Sequence, residues 1–260
     1  MGIEVFKKHL REKRAVKVIS GINNYDLENV GKICRAAQRG KASAVDIACS
    51  KEVYNVARKN TKLPIFVSSV HPFELLQAAQ WGADAIEVGN FDALYKKGET
   101  YSANEVYNIV LETMALVSKY DTFICATVPG CIDIEEQIEL AKKFEILGIN
   151  LIQTEGIKKV TNTTNSSLQL VNYAKASIAN TMELYKNTAL PIMTASGITA
   201  QTAPLAYAAG ADAVGVGSAV NKLDTEVAMC ATIMSIVSSV SYRNSINKEI
   251  TLSNKEFTAL

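Results

Sequence analysis

The sequence of 260 residues predicts an α/β fold, a (β/α)8 TIM barrel of the ribulose-phosphate-binding and aldolase type. Three observations predict it. Eight short apolar runs alternate with segments of helical spacing, the length suits a barrel of about 250 residues, and one stretch of the first half recurs in the second. An open, doubly wound sheet is the alternative for the same alternation.

Each predicted strand is short and almost continuously apolar, which is typical of parallel strands whose outer face is covered by helices. Turn residues bound each run. In chain order the strands are AVKVIS (15–20), ASAVDIAC (42–49), LPIFVSSV (63–70), ADAIEVG (83–89), DTFICATV (121–128), INLIQTE (149–155), LPIMTA (190–195) and ADAVGVG (211–217).

Between the strands, apolar residues recur at helical spacing, and several segments end at the glycine expected just past a helix. The clearest are LENVGKICRAAQRG, PFELLQAAQWG, EEQIELAKKFEILG and APLAYAAG. A short N-terminal helix over 3–13 is expected to close the bottom of the barrel. The apolar run at 227–240 is too short to span a bilayer and is expected to dock as a helix. We predict one barrel domain over 1–240 and a polar C-terminal extension over 241–260.

An internal repeat supports the barrel. Residues 63–90 align with residues 190–218, with LPI at the start of each stretch and GADA near its end. The repeated units are then the third and fourth strands and the seventh and eighth strands. This is the pattern that a half-barrel duplication leaves.

Composition excludes several classes of function. Lys and Arg total 27 against 26 for Asp and Glu, so no strong field favours nucleic acid or an anionic membrane as a partner. Five cysteines without a C-x-x-C pair argue against a disulfide framework and a zinc site, and favour a reducing compartment. No H-E-x-x-H or G-x-S-x-G motif is present, so neither a metal site nor serine chemistry is predicted.

The ends of the seventh and eighth strands predict a phosphate site. SGIT (196–199) and GVGS (215–218) place glycines and hydroxyls where barrels of this type often bind a phosphate. Backbone N–H groups and a helix start favour an anion there. The predicted phosphate-binding residues are Ser196, Gly197, Ile198, Gly217 and Ser218. The alternative is that the glycines serve tight corners only.

Strand alternation points Lys17, Asp46 and Glu87 into the barrel. A buried lysine beside two carboxylates is a common arrangement for acid–base chemistry, so these three are the candidate catalytic residues. The same three residues equally fit a structural role, in which their charges neutralise one another as an internal ion network. A Schiff base on Lys17 is a further, less favoured option.

Polar residues at the rim are candidate substrate ligands. At the ends of strands they are positioned to hydrogen-bond a substrate, although such residues also commonly cap helices or hold loops. His71, after the third strand, is expected to serve the loop structure. The candidate substrate-binding residues are Asn23, Asn90, Gln153, Glu155 and Thr194.

Several motifs resemble, in the same order as the strands, the uncharacterised family called hypothetical chloroplast open reading frame twenty-three. The likeness runs from about Lys17 to Leu223. The resemblance implies a plastid-encoded protein of the chloroplast stroma, or a cytoplasmic one in a cyanobacterium. It also implies likeness of the last quarter to thiazole synthase and N-acetylmannosamine-6-phosphate epimerase. The motifs are KVISGINNYD, VDIA, LPIFVSSVHP, GADAIEVGNFDALY, ATVP, IQTEG and ASGITAQTAPLAYAAGADAVGVGSAVNKL.

The sequence thus predicts an enzyme that binds a small phosphorylated metabolite and acts on it by proton transfer, as an isomerase, lyase or synthase. The alternatives are a non-catalytic protein that binds a phosphorylated metabolite or nucleotide, and a protein that binds flavin mononucleotide (FMN) in the same phosphate site. No resident cofactor is predicted beyond that option. The oligomeric state is left open, with a homo-oligomer as one option.

Overall fold

A closed barrel of eight parallel strands forms the centre of the protein. The computed structural model describes residues 2–95, 98–156 and 167–240. Each strand pairs with the next along the chain, and the first pairs with the eighth. The predicted (β/α)8 barrel is therefore confirmed, and the open sheet is excluded. The strands are β1 (Ala15–Ile19), β2 (Ala44–Ala48), β3 (Ile65–Ser69), β4 (Ala85–Val88), β5 (Phe123–Val128), β6 (Leu151–Thr154), β7 (Ile192–Thr194) and β8 (Ala213–Val216).

Helices follow the strands and cover the outside of the barrel. The helices are α1 (Glu4–Arg11), α2 (Leu27–Arg39), α3 (Lys51–Asn60), α4 (Pro72–Gln80), α5 (Asp92–Tyr95), α6 (Ala103–Val117), α7 (Ile134–Leu147), α8 (Ser167–Asn187), α9 (Ala203–Ala208), α10 (Ser218–Asn221) and α11 (226–240).

Local signals explain where several helices begin and end. The Asp26 side chain accepts hydrogen bonds from two backbone N–H groups at the start of α2. Ser102 and Glu105 form a capping box at the start of α6. Gly148 ends α7 in the left-handed conformation, with φ of 80°.

The lower part of the barrel interior is apolar and is closed by α1. Phe6 of α1 is fully buried against Phe66 and Phe123, with its ring 5.0 Å from that of Phe66. The same cluster contains Leu10 of α1 and Leu151 of β6. The N-terminal helix therefore seals the bottom, as predicted, and the polar side chains of the interior lie above this apolar floor.

The two repeated units have the same contact at their lower ends. The Asp84 carboxylate accepts a hydrogen bond of 2.9 Å from the backbone N–H of Ile65. In the second unit, Asp212 accepts one of 3.0 Å from the N–H of Ile192. The aspartate of each GADA motif thus binds the start of the preceding strand, which explains why LPI and GADA recur together.

The apolar run near the end of the sequence docks as α11. Met229, Ile233 and Ile236 are fully buried. Gly40 lies against Ile233, because a Cβ at residue 40 would be 2.6 Å from the Ile233 side chain. Within the described part of the chain, no helix has the length and apolar character to cross a membrane. The predicted extension over 241–260 lies outside the described residues.

Candidate functional site

Six adjacent strands each contribute one polar side chain to the barrel interior above the apolar floor. All six side chains are between 0% and 1% exposed. They hydrogen-bond to one another as one network, which also includes Asn90 from the end of β4. The six residues are Lys17, Asp46, Ser68, Glu87, Thr127 and Gln153.

Lys17 is the cation of this network. Its Nζ forms a salt bridge to Glu87 and another of 3.2 Å to Asp46, and it lies 5.0 Å from the centre of the Phe66 ring. Burial lowers the pKa of Lys17, but the charges of Asp46 and Glu87 outweigh burial and raise this pKa above its ordinary 10.5. Lys17 therefore stays charged, which disfavours the Schiff base because that chemistry needs a neutral amine.

Asp46 is held by neutral donors as well as by Lys17. It accepts hydrogen bonds from the Ser68 hydroxyl and from Asn90 Nδ2, the latter 3.1 Å long. Asn90 has a left-handed backbone with φ of 67°, a conformation that asparagine adopts more readily than most residues. In this backbone conformation, the side-chain amide of Asn90 donates its hydrogen bond to Asp46.

Glu87 receives donors on both carboxylate oxygens. Its Oε2 contacts Lys17, and its Oε1 accepts from Gln153 Nε2 at 2.9 Å and from the Thr127 hydroxyl at 3.3 Å. Burial raises the pKa of the Glu87 carboxyl, Lys17 opposes this rise, and Asp46 adds to it. The interior carboxylates are therefore paired with a cation and with neutral donors.

A third buried carboxyl, that of Glu155, lies at the rim, at the end of β6. The Oε1 of Glu155 accepts from the backbone N–H of Asp92, and its Oε2 accepts from the Tyr95 hydroxyl, both at 3.1 Å. Burial raises the pKa of Glu155 well above its ordinary 4.5, and the nearby Asp92 charge adds to the rise. Among the described residues no cation pairs with Glu155. Asp92 in turn accepts a hydrogen bond of 3.0 Å from Ser196, in the loop after β7.

The loops after β7 and β8 carry the predicted phosphate site. Ser196 and Gly197 both have left-handed backbones, with φ of 70° and 77°. A Cβ on Gly197 would be 2.6 Å from the backbone carbon of Tyr173 in α8. The sequence-based expectation that each glycine makes room for an anion is therefore corrected for Gly197, since this glycine allows α8 to approach.

Gly217 differs from Gly197. A Cβ on Gly217 would have its nearest neighbour, the Ile19 carbonyl oxygen, at 3.6 Å, which is ordinary contact. Within the described part of the chain, no acceptor bonds the N–H groups of Gly197, Ile198 or Ser218. Ser218 begins α10 and is exposed. These two loops thus offer N–H groups at neighbouring strand ends.

Two predicted substrate ligands lie apart from the network. The Thr194 hydroxyl is 2.6 Å from that of Thr181, so Thr194 faces α8 outside the barrel. Thr194 therefore does not lie beside the interior network, in contrast to its place among the predicted substrate ligands, because Met193 is the β7 residue that faces the interior. Asn23 is exposed in the loop after β1 and joins neither cluster. His71 precedes Pro72 at the start of α4, in the loop position expected for it.

Sequence reasoning missed four residues of the site. Two belong to the interior network and two contact Glu155. Ser68 and Thr127 were detectable, because each occupies the inward phase of its strand, as Asp46 and Glu87 do. Asp92 and Tyr95 follow β4 in the stretch NFDALY, and no local signal pairs them with Glu155, which is 63 residues away from Asp92.

Comparison with known proteins identifies the family. The sequence profile of DUF561, described as a protein of unknown function, matches residues 3–246. The chain belongs to this family. Uncharacterized protein ycf23 of Cyanidium caldarium is 36% identical over 233 residues, covering 88% of this chain and 92% of the relative. The ycf23 protein of Cyanophora paradoxa is 35% identical over 235 residues, covering 90% and 95%. The resemblance seen in the sequence motifs is thus confirmed.

Solved structures that are similar to this DUF561 protein share its fold at low sequence identity. The (S)-3-O-geranylgeranylglyceryl phosphate synthase of Thermoplasma acidophilum, in complex with its substrate sn-glycerol-1-phosphate, has a TM-score of 0.60 at 15% identity and covers 91% of this chain and 98% of its own. A 3-hexulose-6-phosphate synthase also has a TM-score of 0.60, at 12% identity, covering 86% and 99%. These likenesses support the barrel fold.

One glycine of this DUF561 chain lies directly against the backbone of Glu155. A Cβ on Gly130, in the loop after β5, would be 2.7 Å from the backbone carbonyl oxygen of Glu155. The missing side chain lets these two loops pack directly against each other. Gly130 therefore helps to place Glu155 where its carboxyl meets Asp92 and Tyr95.

Proposed function

We propose that this protein is an enzyme that binds a small phosphorylated metabolite at the ends of β7 and β8 and moves a proton to or from it. The reaction class would be that of an isomerase, lyase or synthase. Structural neighbours support the ligand class, because one is described with sn-glycerol-1-phosphate as substrate and another is a 3-hexulose-6-phosphate synthase. At 15% and 12% identity these neighbours carry the fold, so the chemistry has to rest on the residues of this chain.

The phosphate would bind to backbone N–H groups. Gly197, Ile198, Gly217 and Ser218 lie on neighbouring loops at the carboxyl ends of the strands, which is the end where barrels of this kind bind phosphate. A Cβ at Gly217 would meet only ordinary contacts and Ser218 is exposed, which is compatible with the approach of a ligand. The Ser196 hydroxyl, which now donates to Asp92, would have to turn to the phosphate to contribute.

The proton would be carried by Glu155. A carboxyl whose pKa is raised by burial retains its proton to higher pH than an ordinary glutamic acid, which suits a general acid near neutral pH. One observation carries the proposal: the contacts from Glu155 through Asp92 to Ser196 join this acid to the phosphate loop. Asp92 therefore links Glu155 to Ser196, which is one of the predicted phosphate-binding residues.

Lys17, Asp46 and Glu87 would then position other groups. Both carboxyl groups contact Lys17, and the network holds Asn90 and Gln153 in place. The sequence-based hypothesis that Glu87, Asp46 or Lys17 transfers the proton remains a prediction, and variants of Asp46 and Glu87 enter the same experiment. The relatives come from algae such as Cyanidium caldarium, which supports the proposed plastid or cyanobacterial setting.

The experiment has two steps. Inorganic phosphate and a panel of phosphorylated metabolites are first screened by thermal shift, because a ligand of the folded state raises the melting temperature. Each compound that binds is then incubated with the protein in D2O, and deuterium uptake at carbon is followed by mass spectrometry. We expect at least one bound compound to gain deuterium.

Glu155→Gln is the decisive variant. It should bind the same compound and exchange deuterium at least about 100-fold more slowly, because general acid–base catalysis contributes on that order. Glu136→Gln, at an exposed glutamate of α7, is the matched control and should exchange at the wild-type rate. Loss of exchange in Asp46→Asn or Glu87→Gln, with Glu155→Gln active, would move the proton transfer to the interior.

The remaining outcomes separate the alternative functions. Binding without deuterium uptake by any bound compound would favour a non-catalytic phosphometabolite-binding protein. A yellow purified protein that releases flavin on denaturation would favour FMN in the phosphate site. Failure of every phosphorylated compound, including inorganic phosphate, to shift the melting temperature would refute the proposal.

A further inference from the structure

Gln153 has a buried oxygen without a hydrogen-bond partner. The side chain is 1% exposed. Its Nε2 donates to Glu87 at 2.9 Å and lies 3.1 Å from Asn90 Oδ1 and 3.2 Å from the Thr127 hydroxyl. Within residues 2–95, 98–156 and 167–240, its Oε1 accepts no hydrogen bond. A buried acceptor left unpaired costs free energy, so an unpaired one inside a candidate site calls for a partner.

The unpaired oxygen faces the small residues of β7 and β8. An ideal Cβ built on Gly215 would be 2.9 Å from the flexible end of the Ile19 side chain, 3.0 Å from the Ala195 side chain and 3.3 Å from Gln153 Oε1. In the repeat, Ala195 aligns with Ser68 and Gly215 aligns with Glu87. The second unit therefore has alanine and glycine where the first unit has serine and glutamate. The Gln153 oxygen lies beside the glycine.

The spacing relates this oxygen to the phosphate loop. Gly215 precedes Gly217 by two residues on the same strand, which corresponds to about 7 Å at the rise of a parallel strand. A phosphate on the N–H groups of Gly217 and Ser218 would thus lie about 7 Å further along β8 than the level of Gln153 Oε1. Two or three carbons beyond the ester oxygen can span this separation.

We propose that Gln153 Oε1 accepts a hydrogen bond from a hydroxyl group of the substrate, two or three carbons from its phosphate. The substrate class is then a phosphorylated polyol or sugar rather than a phosphorylated aliphatic chain. A cationic amine fits less well, because Lys17 already contacts the same Glu87 carboxylate that binds Gln153. This inference rests on the phosphate site of the proposed function.

The test compares matched ligands by calorimetry. Inorganic phosphate reports on the phosphate site alone, and glycerol 3-phosphate and propyl phosphate differ in their hydroxyl groups. We expect the wild-type protein to bind glycerol 3-phosphate at least about tenfold more tightly than propyl phosphate, because the hydroxyl gains a buried acceptor. This comparison needs no variant.

Two variants test whether Gln153 causes the preference. Gln153→Met removes the acceptor with little change in volume and should bring the affinity ratio of the two esters close to one. Gln137 on α7 is a matched control, because it is also a buried glutamine, 3% exposed, and its Oε1 has no hydrogen-bond partner among the described residues. Gln137→Met should keep the wild-type ratio and wild-type affinity for phosphate.

The outcomes distinguish this inference from the proposed function. Equal binding of the two esters by the wild type would overturn the role of Gln153 and leave the phosphate site standing. A preference that persists in Gln153→Met would overturn it as well. No binding of phosphate or of either ester would refute the proposed function and this inference together.

Discussion

The two repeated units of the barrel agree at their lower ends and differ at their upper ends. Asp84 and Asp212 make the same contact to the start of the preceding strand. Above this level, the first unit fills the interior with Ser68 and Glu87, whereas the second has Ala195 and Gly215. The shared lower ends maintain the barrel, and the upper ends of the second unit carry small residues where the first unit carries polar side chains.

The two halves of the barrel also treat buried charge differently. In the first half, Asp46 and Glu87 share the cation Lys17. In the second half, Glu155 is equally buried, and none of the described residues pairs it with a cation. A carboxylate that is paired with a cation stabilises the packing of the side chains around it. A carboxyl group that keeps its proton can donate that proton to a ligand. This contrast is the basis of our proposal that the first half positions groups and that the second half carries the chemistry.

Lys17→Met should have the largest effect. Removing the cation leaves two carboxylates unpaired in the interior, so we expect a loss of about 3–5 kcal/mol in the free energy of unfolding. Urea denaturation measures it. The triple variant Lys17→Met, Asp46→Asn, Glu87→Gln should recover much of the loss, because no unpaired charge remains. A loss below about 1 kcal/mol in Lys17→Met would show that this half does not depend on its ion network.

Gly197→Ala should be the next largest. The left-handed φ of 77° and the contact of its Cβ with the Tyr173 backbone act together, so we expect a loss of about 2–4 kcal/mol. Gly217→Ala is the control, and its free energy of unfolding should change by about 0.5 kcal/mol or less, since the Cβ has room. Equal losses in both variants would mean that the two loops are packed alike.

Asp84→Ala and Asp212→Ala test the shared lower ends. Each removes a carboxylate that binds a backbone N–H, so each should lower the free energy of unfolding by about 1.5–3 kcal/mol. Asp84 also pairs with Arg58, and Asp212 pairs with Lys13 at 3.3 Å. Denaturation of the two single variants should give similar values, and a silent substitution in either unit would contradict the equivalence of the repeat.

Glu155→Gln should change how stability depends on pH. Because the pKa of Glu155 is raised in the folded state, the folded protein binds more protons than the unfolded chain between pH 4.5 and the raised pKa. This contribution to stability is complete below pH 4.5 and is lost as pH rises towards the raised pKa.

The difference between wild type and Glu155→Gln isolates this contribution. The wild-type free energy of unfolding should fall, relative to the variant, by at most about 1.4 kcal/mol per pH unit above pH 4.5. Urea denaturation across a pH series measures it. Parallel pH profiles for the two proteins would contradict a raised pKa at Glu155.

Strand order and the interior positions of Lys17, Asp46 and Glu87 follow from local patterns in the sequence. Alternation along each strand is enough to place these side chains inside. The contact of Asp92 with Glu155 does not follow, because it depends on how the closed barrel brings the loop after β4 beside the end of β6. The role of Gly197 depends on the path of α8, which no pattern within SGIT encodes.

The most direct test of the account is an NMR titration with inorganic phosphate that follows backbone amide shifts. We predict saturable shifts at Gly197, Ile198, Gly217 and Ser218 in the second unit. The backbone amide of Asn90, which aligns with Ser218 in the repeat, should keep its chemical shift. Absence of shifts in the second unit, or equal shifts in both units, would contradict a phosphate site at the ends of β7 and β8.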